Sequence, residues 1–286
     1  MDEPPQKRTK FSFDTSKKLS ESKGRLPDLD KLNPIVKESL APQAVRDKFC
    51  GPARFIGIDI ETHALVPKSG SCHWRSDEFG VLSGVSKECV SSLRMVQLGW
   101  AFADWGAIVT KTKLIKPVGF TIEDDAADMH RISHEEACDN GVPIQDALRE
   151  FFKDVTDAAE KGYRICAHHL GFDAGIILRE LDRAELHSCK PAWVSLVRKG
   201  LCTMDPSIAH WVRQQIGLWD FPRNLPLRLK DAITFMLPNH TDLLSKHHHA
   251  GNDAHMHVLL AQELHRRANL CLPEIAVYES KDDAKR

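Results

Sequence analysis

The pattern of apolar and polar residues along the chain predicts a buried sheet with helices packed against it. Residues 55–60 form a short apolar run rich in β-branched side chains, which is typical of a strand buried on both faces. Stretches 94–104 and 107–115 also have strand character and are joined by Trp105-Gly106, so they predict a hairpin. Residues 163–167 predict one more buried strand.

Helical periodicity appears in the second half of the chain. Between residues 144 and 155, apolar side chains recur at intervals of three and four residues, which is the pattern of an amphipathic helix. Further helices are predicted over about 172–184 and 252–268. Interspersed strands and helices without an internal repeat predict one α/β domain with a mixed sheet, covering 52–272.

Both ends of the chain, and one internal segment, lack this periodicity. Residues 1–50 are rich in Pro, Lys, Ser and Asp, which predicts a disordered tail, and 273–286 predict a charged C-terminal tail. The basic residues near the N-terminus fit either a nuclear address or a solvated arm. Residues 66–92 predict a long loop, which could be a surface insertion or could bring Trp74, Arg75 and Phe79 to a nucleic acid.

Composition narrows the class of protein. A formal net charge of -1 argues against a protein that grips long duplexes through a basic surface. Neither an apolar run of roughly 20 residues nor a secretory signal core is found, so we expect an intracellular protein, nuclear or cytoplasmic, without membrane contact. The eight cysteines form no C-x-x-C pair, which favours reduced thiols, although a zinc site at Cys72, His73 and Cys89 is an alternative.

Candidate chemistry lies at three separate places in the sequence. Asp59 and Glu61 lie at the end of the first strand, where alternate side chains share one face and cations would relieve the repulsion of two carboxylates. Asp173 follows a buried strand at the start of a helix. Asp253 opens the last helix, with His248 five residues before it. Taken singly, each of these carboxylates fits an ordinary surface or helix-start position as well.

The three consecutive histidines 247–249 allow a second interpretation, a metal-binding tract. Neighbouring residues rarely direct all their rings to one ion, so we favour an interpretation in which only one of the three belongs to the site.

The order of these motifs resembles a known superfamily. The succession D-x-E, H-x-x-x-F-D and H-x-A-x-x-D is similar to that of the DEDDh 3′→5′ exonucleases, which include ribonuclease T and the proofreading subunit of replicative DNA polymerases. The passages Ile115-Lys116-Pro117, Met129 to Ser133, Leu201 to Asp205 and Leu229 to Asp231 resemble the family between its motifs. The resemblance covers about residues 55–268.

The resemblance implies a ribonuclease H-like fold and a specific set of roles. Asp59, Glu61, Asp173 and Asp253 would bind two Mg²⁺ or Mn²⁺ ions, and His248 would act as the general base. Thr62, Leu65 and Phe172 would contact the substrate, which is expected to be a single-stranded nucleic acid with a free 3′ end. The products would be nucleoside 5′-monophosphates. One departure is Ala64, where the family often has glycine close to the terminal nucleotide.

Three other functions stay open at the level of sequence. The first is a catalytically silent nucleic-acid-binding module on the same fold. The second is a deadenylase-like ribonuclease, because residues 93–104 also resemble that group. The third is a metal-dependent hydrolase of small phosphoesters. The sequence does not distinguish DNA from RNA as substrate, and it leaves the pathway, protein partners and oligomeric state open.

Overall fold

The computed structural model describes part of the chain, namely residues 41–66, 75–76, 82–83, 87–104, 107–215 and 227–269. All of these belong to one compact unit, residues 39–286. Several predictions fall outside the described residues: most of the N-terminal tail, the C-terminal tail, the turn at Trp105-Gly106, the side chains proposed as nucleic-acid contacts in the 66–92 loop, and the alternative zinc site.

A five-stranded mixed sheet forms the centre of the described structure. Its strands are β1 (Phe55–Thr62), β4 (Met95–Asp104), β5 (Ala107–Leu114), β6 (Arg164–Ala167) and β7 (Leu201–Cys202). Their spatial order is β5-β4-β1-β6-β7, with antiparallel pairing from β5 to β1 and parallel pairing from β1 to β7. Two short strands, β2 (Arg75–Ser76) and β3 (Leu82–Ser83), pair separately with each other. The predicted hairpin of β4 and β5 and the predicted mixed sheet are confirmed.

Helices flank this sheet. They are α1 (Gln43–Arg46), α2 (Lys87–Ser92), α3 (Asp124–His130), α4 (His134–Asn140), α5 (Ile144–Glu160), α6 (Leu170–Arg183), α7 (Lys190–Arg198), α8 (Pro206–Gln215), α9 (Leu229–Met236) and α10 (Ala250–Ala268), with short 3₁₀ segments at Asp47–Phe49, His187–Cys189 and Pro238–Lys246. The three helices predicted from periodicity, α5, α6 and α10, are confirmed with small shifts at their ends. In the described part of the chain, no helix has both the length and the apolar character to cross a membrane.

Strand β1 separates two apolar layers. Ile56, Ile58 and Ile60 join the cluster that contains Phe151 of α5 and Trp193 of α7. Because side chains alternate along a strand, Asp59 and Glu61 lie on the opposite face, which is the face that α10 covers. The apolar layer thus fixes the direction of both carboxylates.

Helix α10 lies unusually close to the sheet. A Cβ atom on Gly57 of β1 would lie 2.0 Å from the carbonyl oxygen of Ala254, and one on Gly99 of β4 would lie 2.2 Å from the carbonyl of Ala250. Only glycine allows backbones to approach to this distance. The N-terminal part of α10 is therefore held directly against β1 and β4.

The expected boundary of the N-terminal tail differs from the structure. Residues 41–49, assigned to the tail by composition, form α1 and a 3₁₀ turn, and Val45 and Phe49 are fully buried in the second apolar cluster. The carbonyl oxygen of Phe49 also accepts a hydrogen bond from Asn269 Nδ2 at 3.2 Å. Two apolar anchors in a short segment are too few to produce a helical periodicity, so the sequence pattern does not reveal them.

The segment 66–92, predicted as a loop, also contains regular structure. Its end forms α2, whose Val90 is buried beside Gly175 of α6. A helix of six residues spans fewer than two turns, which is too short for a periodic pattern.

The buried N-terminal segment leads to a prediction about stability. Replacing Phe49 by alanine should cost about 3–5 kcal/mol of unfolding free energy, because it empties a fully buried aromatic site. Urea denaturation followed by circular dichroism measures this loss. Lys48→Ala is the matched control, since its ion pair with Asp205 is partly exposed and should contribute less than about 1 kcal/mol. Equal midpoints for both variants would show that the segment does not belong to the folded domain.

Candidate functional site

The end of β1 presents two carboxylates toward α10. Asp59 lies opposite Gly99 of β4, and Glu61 lies opposite Gln97. The small residue at Gly99 lets the helix backbone approach Asp59, while Gln97 is buried and its Oε1 accepts a hydrogen bond from the amide of Ala250 at 2.7 Å. Gln97 therefore binds the first turn of α10 to the sheet beside Glu61.

Asp253 lies in that first turn of α10 and is buried. One ligand oxygen from each of Asp59, Glu61 and Asp253 lies within 4.8 Å of the other two. Asp253 thus forms one compact acidic group with Asp59 and Glu61, which precede it by nearly 200 residues in sequence.

Asp173 approaches the same region from α6 but is not a member of this group of three. It is buried in the first turn of the helix. Burial raises its pKa, and hydrogen bonding to the backbone at Asp173 and Ile60 opposes that rise. Because Ile60 belongs to β1, the carboxylate of Asp173 lies next to this strand and near the other carboxylates.

The carboxylates strongly disfavour one another's charged forms. Burial raises the pKa of Asp59 well above its usual value, and the charges of Asp253, Asp173 and Glu61 raise it further. Burial, followed by Asp253 and Asp173, raises the pKa of Glu61 to about 8. The pKa of Asp173 also rises well above its usual value, mainly because of burial. Without a counter-charge this site prefers to hold protons.

The two oxygens of Asp253 have different surroundings. Oδ2 accepts hydrogen bonds from His247 Nδ1 at 2.9 Å and from the amide of His248 at 3.2 Å. Oδ1 is buried and has no hydrogen-bond partner among the described residues. A buried carboxylate oxygen without a partner is costly, and it is the kind of atom that a cation would satisfy.

His248 is held in a strained backbone conformation at the edge of the acidic group. Its φ is 67°, in the left-handed region, which costs non-glycine residues on the order of 1–3 kcal/mol. Its ring stacks on that of His247 with a centroid distance of 3.9 Å. Burial and the neighbouring His247 lower the pKa of His248, although Asp253 opposes the change. The imidazole is therefore uncharged at neutral pH.

The residues expected to contact substrate have mixed surroundings. Leu65 is 37% exposed, whereas the hydroxyl of Thr62 donates to the carbonyl oxygen of Ala64 at 2.8 Å. Phe172 stacks on His169 with a centroid distance of 5.7 Å. Leu65 thus presents apolar surface to solvent, while Thr62 and Phe172 also serve internal contacts.

One histidine near the site was not singled out from the sequence. His257 lies one helical turn after Asp253 and is buried, with Nδ1 donating to the carbonyl oxygen of Ile58 at 2.8 Å and Nε2 lying 4.0 Å from Asp59 Oδ1. Its spacing of four residues from Asp253 is the signal that could have found it. His247 belongs to the tract of three histidines noted in the sequence, but its contact with Asp253 was not anticipated there.

Several solved structures of other proteins are similar to this chain in fold. The fold is of the ribonuclease H-like α/β class. A solved structure of exonuclease I superposes with a TM-score of 0.50 at 16% identity, over 76% of this chain and 41% of that one. E. coli exonuclease I in complex with a dT13 oligonucleotide gives a TM-score of 0.48 at 15% identity, over 79% and 43%.

A full-length 3′-exonuclease gives a TM-score of 0.41 at 12% identity, over 75% of this chain and 60% of that one. In these superpositions, this chain spans about two fifths of the length of exonuclease I. No protein-family model matches the sequence, and a search of curated proteins found no match.

The raised pKa of Glu61 predicts how metal-free stability depends on pH. A carboxyl group whose folded pKa exceeds its unfolded pKa stabilises the protein fully below the unfolded value, near 4.3, and that contribution is lost as pH rises through about 8. In EDTA at about pH 5, Glu61→Gln should therefore have a melting temperature similar to that of the wild type. Above about pH 8, the melting temperature of Glu61→Gln should be the higher one. Thermal melts across this range measure the difference, and a wild-type advantage at high pH would contradict the crowded acidic group.

Proposed function

We propose that this chain is a divalent-cation-dependent 3′→5′ exonuclease of the DEDDh type, which hydrolyses single-stranded nucleic acid to nucleoside 5′-monophosphates. The observation that carries the proposal is the convergence of Asp59, Glu61 and Asp253 within 4.8 Å of one another. Such a buried cluster of carboxylates is unfavourable unless it binds cations.

The donor set fits magnesium or manganese. Asp59, Glu61 and Asp253 offer only carboxylate oxygens, which these hard ions prefer, and Asp253 Oδ1 is buried without a partner among the described residues. Asp173 lies next to the three and would complete the set for two ions. Bound cations would neutralise the phosphate, favour an attacking hydroxide and stabilise the leaving 3′ oxygen.

His248 would remove a proton from the attacking water. Its lowered pKa leaves the imidazole uncharged and able to accept a proton at neutral pH. The water oxygen would form a bond to phosphorus, the bond from phosphorus to the 3′ oxygen would break, and the released proton would reside on His248. The hydrogen bond from its amide to Asp253 ties the base to the acidic group.

Three features of the protein support the end of a nucleic-acid strand as substrate. Leu65 follows the acidic strand and exposes apolar surface, which suits van der Waals contact with the face of an unpaired base. The near-neutral net charge fits an enzyme that holds a few terminal nucleotides better than a duplex binder. The fold shared with exonuclease I supports the same class of reaction.

Hydrolysis of labelled oligonucleotides tests the proposal. With Mg²⁺ or Mn²⁺, 5′-labelled single-stranded DNA or RNA should shorten one nucleotide at a time from the 3′ end, and EDTA should stop the reaction. An oligonucleotide ending in adenosines separates a deadenylase from a general nuclease, and a dinucleotide separates a small-phosphoester hydrolase. If the protein shortens none of these substrates, the result contradicts the proposal and favours a catalytically silent binding module.

Carboxylate variants test the proposed cation ligands. Asp59→Asn, Glu61→Gln and Asp173→Asn each remove one negative charge from the group while keeping the side-chain shape. Each should abolish hydrolysis, because the cations lose a ligand, while the melting temperature in EDTA should hold or rise. Asp146→Asn, an exposed residue of α5 paired with Arg149, is the control. Activity within about tenfold of the wild type in any of the three would remove that residue from the ligand set.

Replacing His248 tests the proposed base. His248→Ala should lower the turnover rate by roughly 10²–10⁴-fold, the range that general-base catalysis supplies, while Mg²⁺ affinity stays near that of the wild type. The rise of rate with pH should flatten in this variant. His249→Asn is the matched control, because His249 caps α10 through an Nδ1 that accepts from the amide of Asn252 at 3.4 Å and asparagine also serves as an N-cap. Equal losses of turnover rate in His248→Ala and His249→Asn would contradict the assignment of His248 as the general base.

A further inference from the structure

The three consecutive histidines before α10 separate into two groups. His249 turns to the helix, where its Nδ1 caps the first turn. His247 and His248 instead stack on each other, and their ring nitrogens, with an oxygen of Asp253, form a second group in which all ligand atoms lie within 4.8 Å of one another. Two of the three rings therefore converge on one carboxylate.

The chemistry of this second group differs from that of the acidic one. Two imidazole nitrogens and one carboxylate oxygen form a set that suits Zn²⁺ and similar transition metals, whereas Mg²⁺ prefers oxygen alone. Asp253 belongs to both groups. A transition metal and magnesium would thus be drawn to the same carboxylate by different partners.

The pair formed by His247 and Asp253 requires little movement to hold an ion. His247 Nδ1 and Asp253 Oδ2 lie 2.9 Å apart, and two ligands of a tetrahedral zinc ion lie about 3.4 Å apart, as follows from bonds of about 2.0–2.1 Å. An opening of about half an ångström would let the ion replace the shared proton. The side chain of His247 is 25% exposed, which leaves a path for the ion and a water ligand.

We infer that His247, His248 and Asp253 form a transition-metal site, selective for an ion such as Zn²⁺, whose occupation inhibits the enzyme. A metal there would occupy the imidazole of His248 and draw the carboxylate of Asp253 away from Asp59 and Glu61. The binding site stands on its own geometry, whereas the inhibition rests on the proposed nuclease function.

Zinc binding is measured first, on the full chain in saturating Mg²⁺, with Zn²⁺ alone as the probe and a chromophoric chelator as competitor. The wild type and His249→Asn should bind one ion with similar affinity. His247→Ala should bind it more than about tenfold more weakly, because loss of a ligand costs at least as much as loss of a ligand's outer partner. Asp59→Asn should retain the site.

Two results would overturn the site. If His247→Ala binds zinc with the affinity of the wild type, His247 is not a ligand of the site. Loss of the ion in Asp59→Asn with retention in His247→Ala would place zinc in the acidic group instead.

Inhibition is then measured as the ratio of hydrolysis with and without Zn²⁺, each variant against its own zinc-free rate. The wild type and His249→Asn should be inhibited at the concentrations that fill the site, and His247→Ala should need more than about tenfold more zinc. Inhibition that is identical in His247→Ala would overturn the inhibitory role. If no variant hydrolyses DNA or RNA with Mg²⁺, the proposed function fails, and the binding measurement still decides the zinc site.

Discussion

The close packing of α10 against β1 and β4 is the contact on which the candidate site depends. At Gly57 and Gly99 the helix backbone approaches to a distance that no side chain would permit, and Gln97 accepts a hydrogen bond from the amide of Ala250 at the helix start. These contacts fix the first turn of α10 over the end of β1. Asp253, in that turn, is thereby brought to Asp59 and Glu61, although nearly 200 residues separate them in sequence.

This arrangement concentrates carboxyl groups where burial disfavours their charged forms. Burial raises the pKa values of Asp59, Glu61 and Asp173, and neighbouring carboxylates raise them further, so these three groups favour bound protons in the metal-free form. Cations would remove both the repulsion and the unsatisfied state of Asp253 Oδ1. A cluster of carboxyl groups that lowers the stability of the folded state and shifts pKa values is typical of functional sites.

Much of the fold follows from the sequence because its main elements are long and periodic. The apolar run of β1 and the amphipathic stripe of α5 extend over enough residues to set a pattern. The docking of Phe49 and the helix around Val90 depend on one or two anchors each, and no periodicity reveals them. For the site, motif order suggested which carboxylates belong together. The sequence could not indicate that Asp253 Oδ2 meets the ring of His247 but the backbone amide of His248, because both contacts depend on the folded conformation of this loop.

Packing of α10 against the sheet brings Asp253 to Asp59 and Glu61, and we propose that these three carboxylates bind cations. Diffraction from crystals soaked in Mn²⁺, recorded at a wavelength where manganese scatters anomalously, tests this most directly. We expect an anomalous peak from a manganese ion that is bound by oxygens of Asp59, Glu61 and Asp253, with α10 in contact with Gly57 and Gly99. A cluster without manganese under saturating Mn²⁺, or carboxylates held apart by a displaced α10, would contradict it.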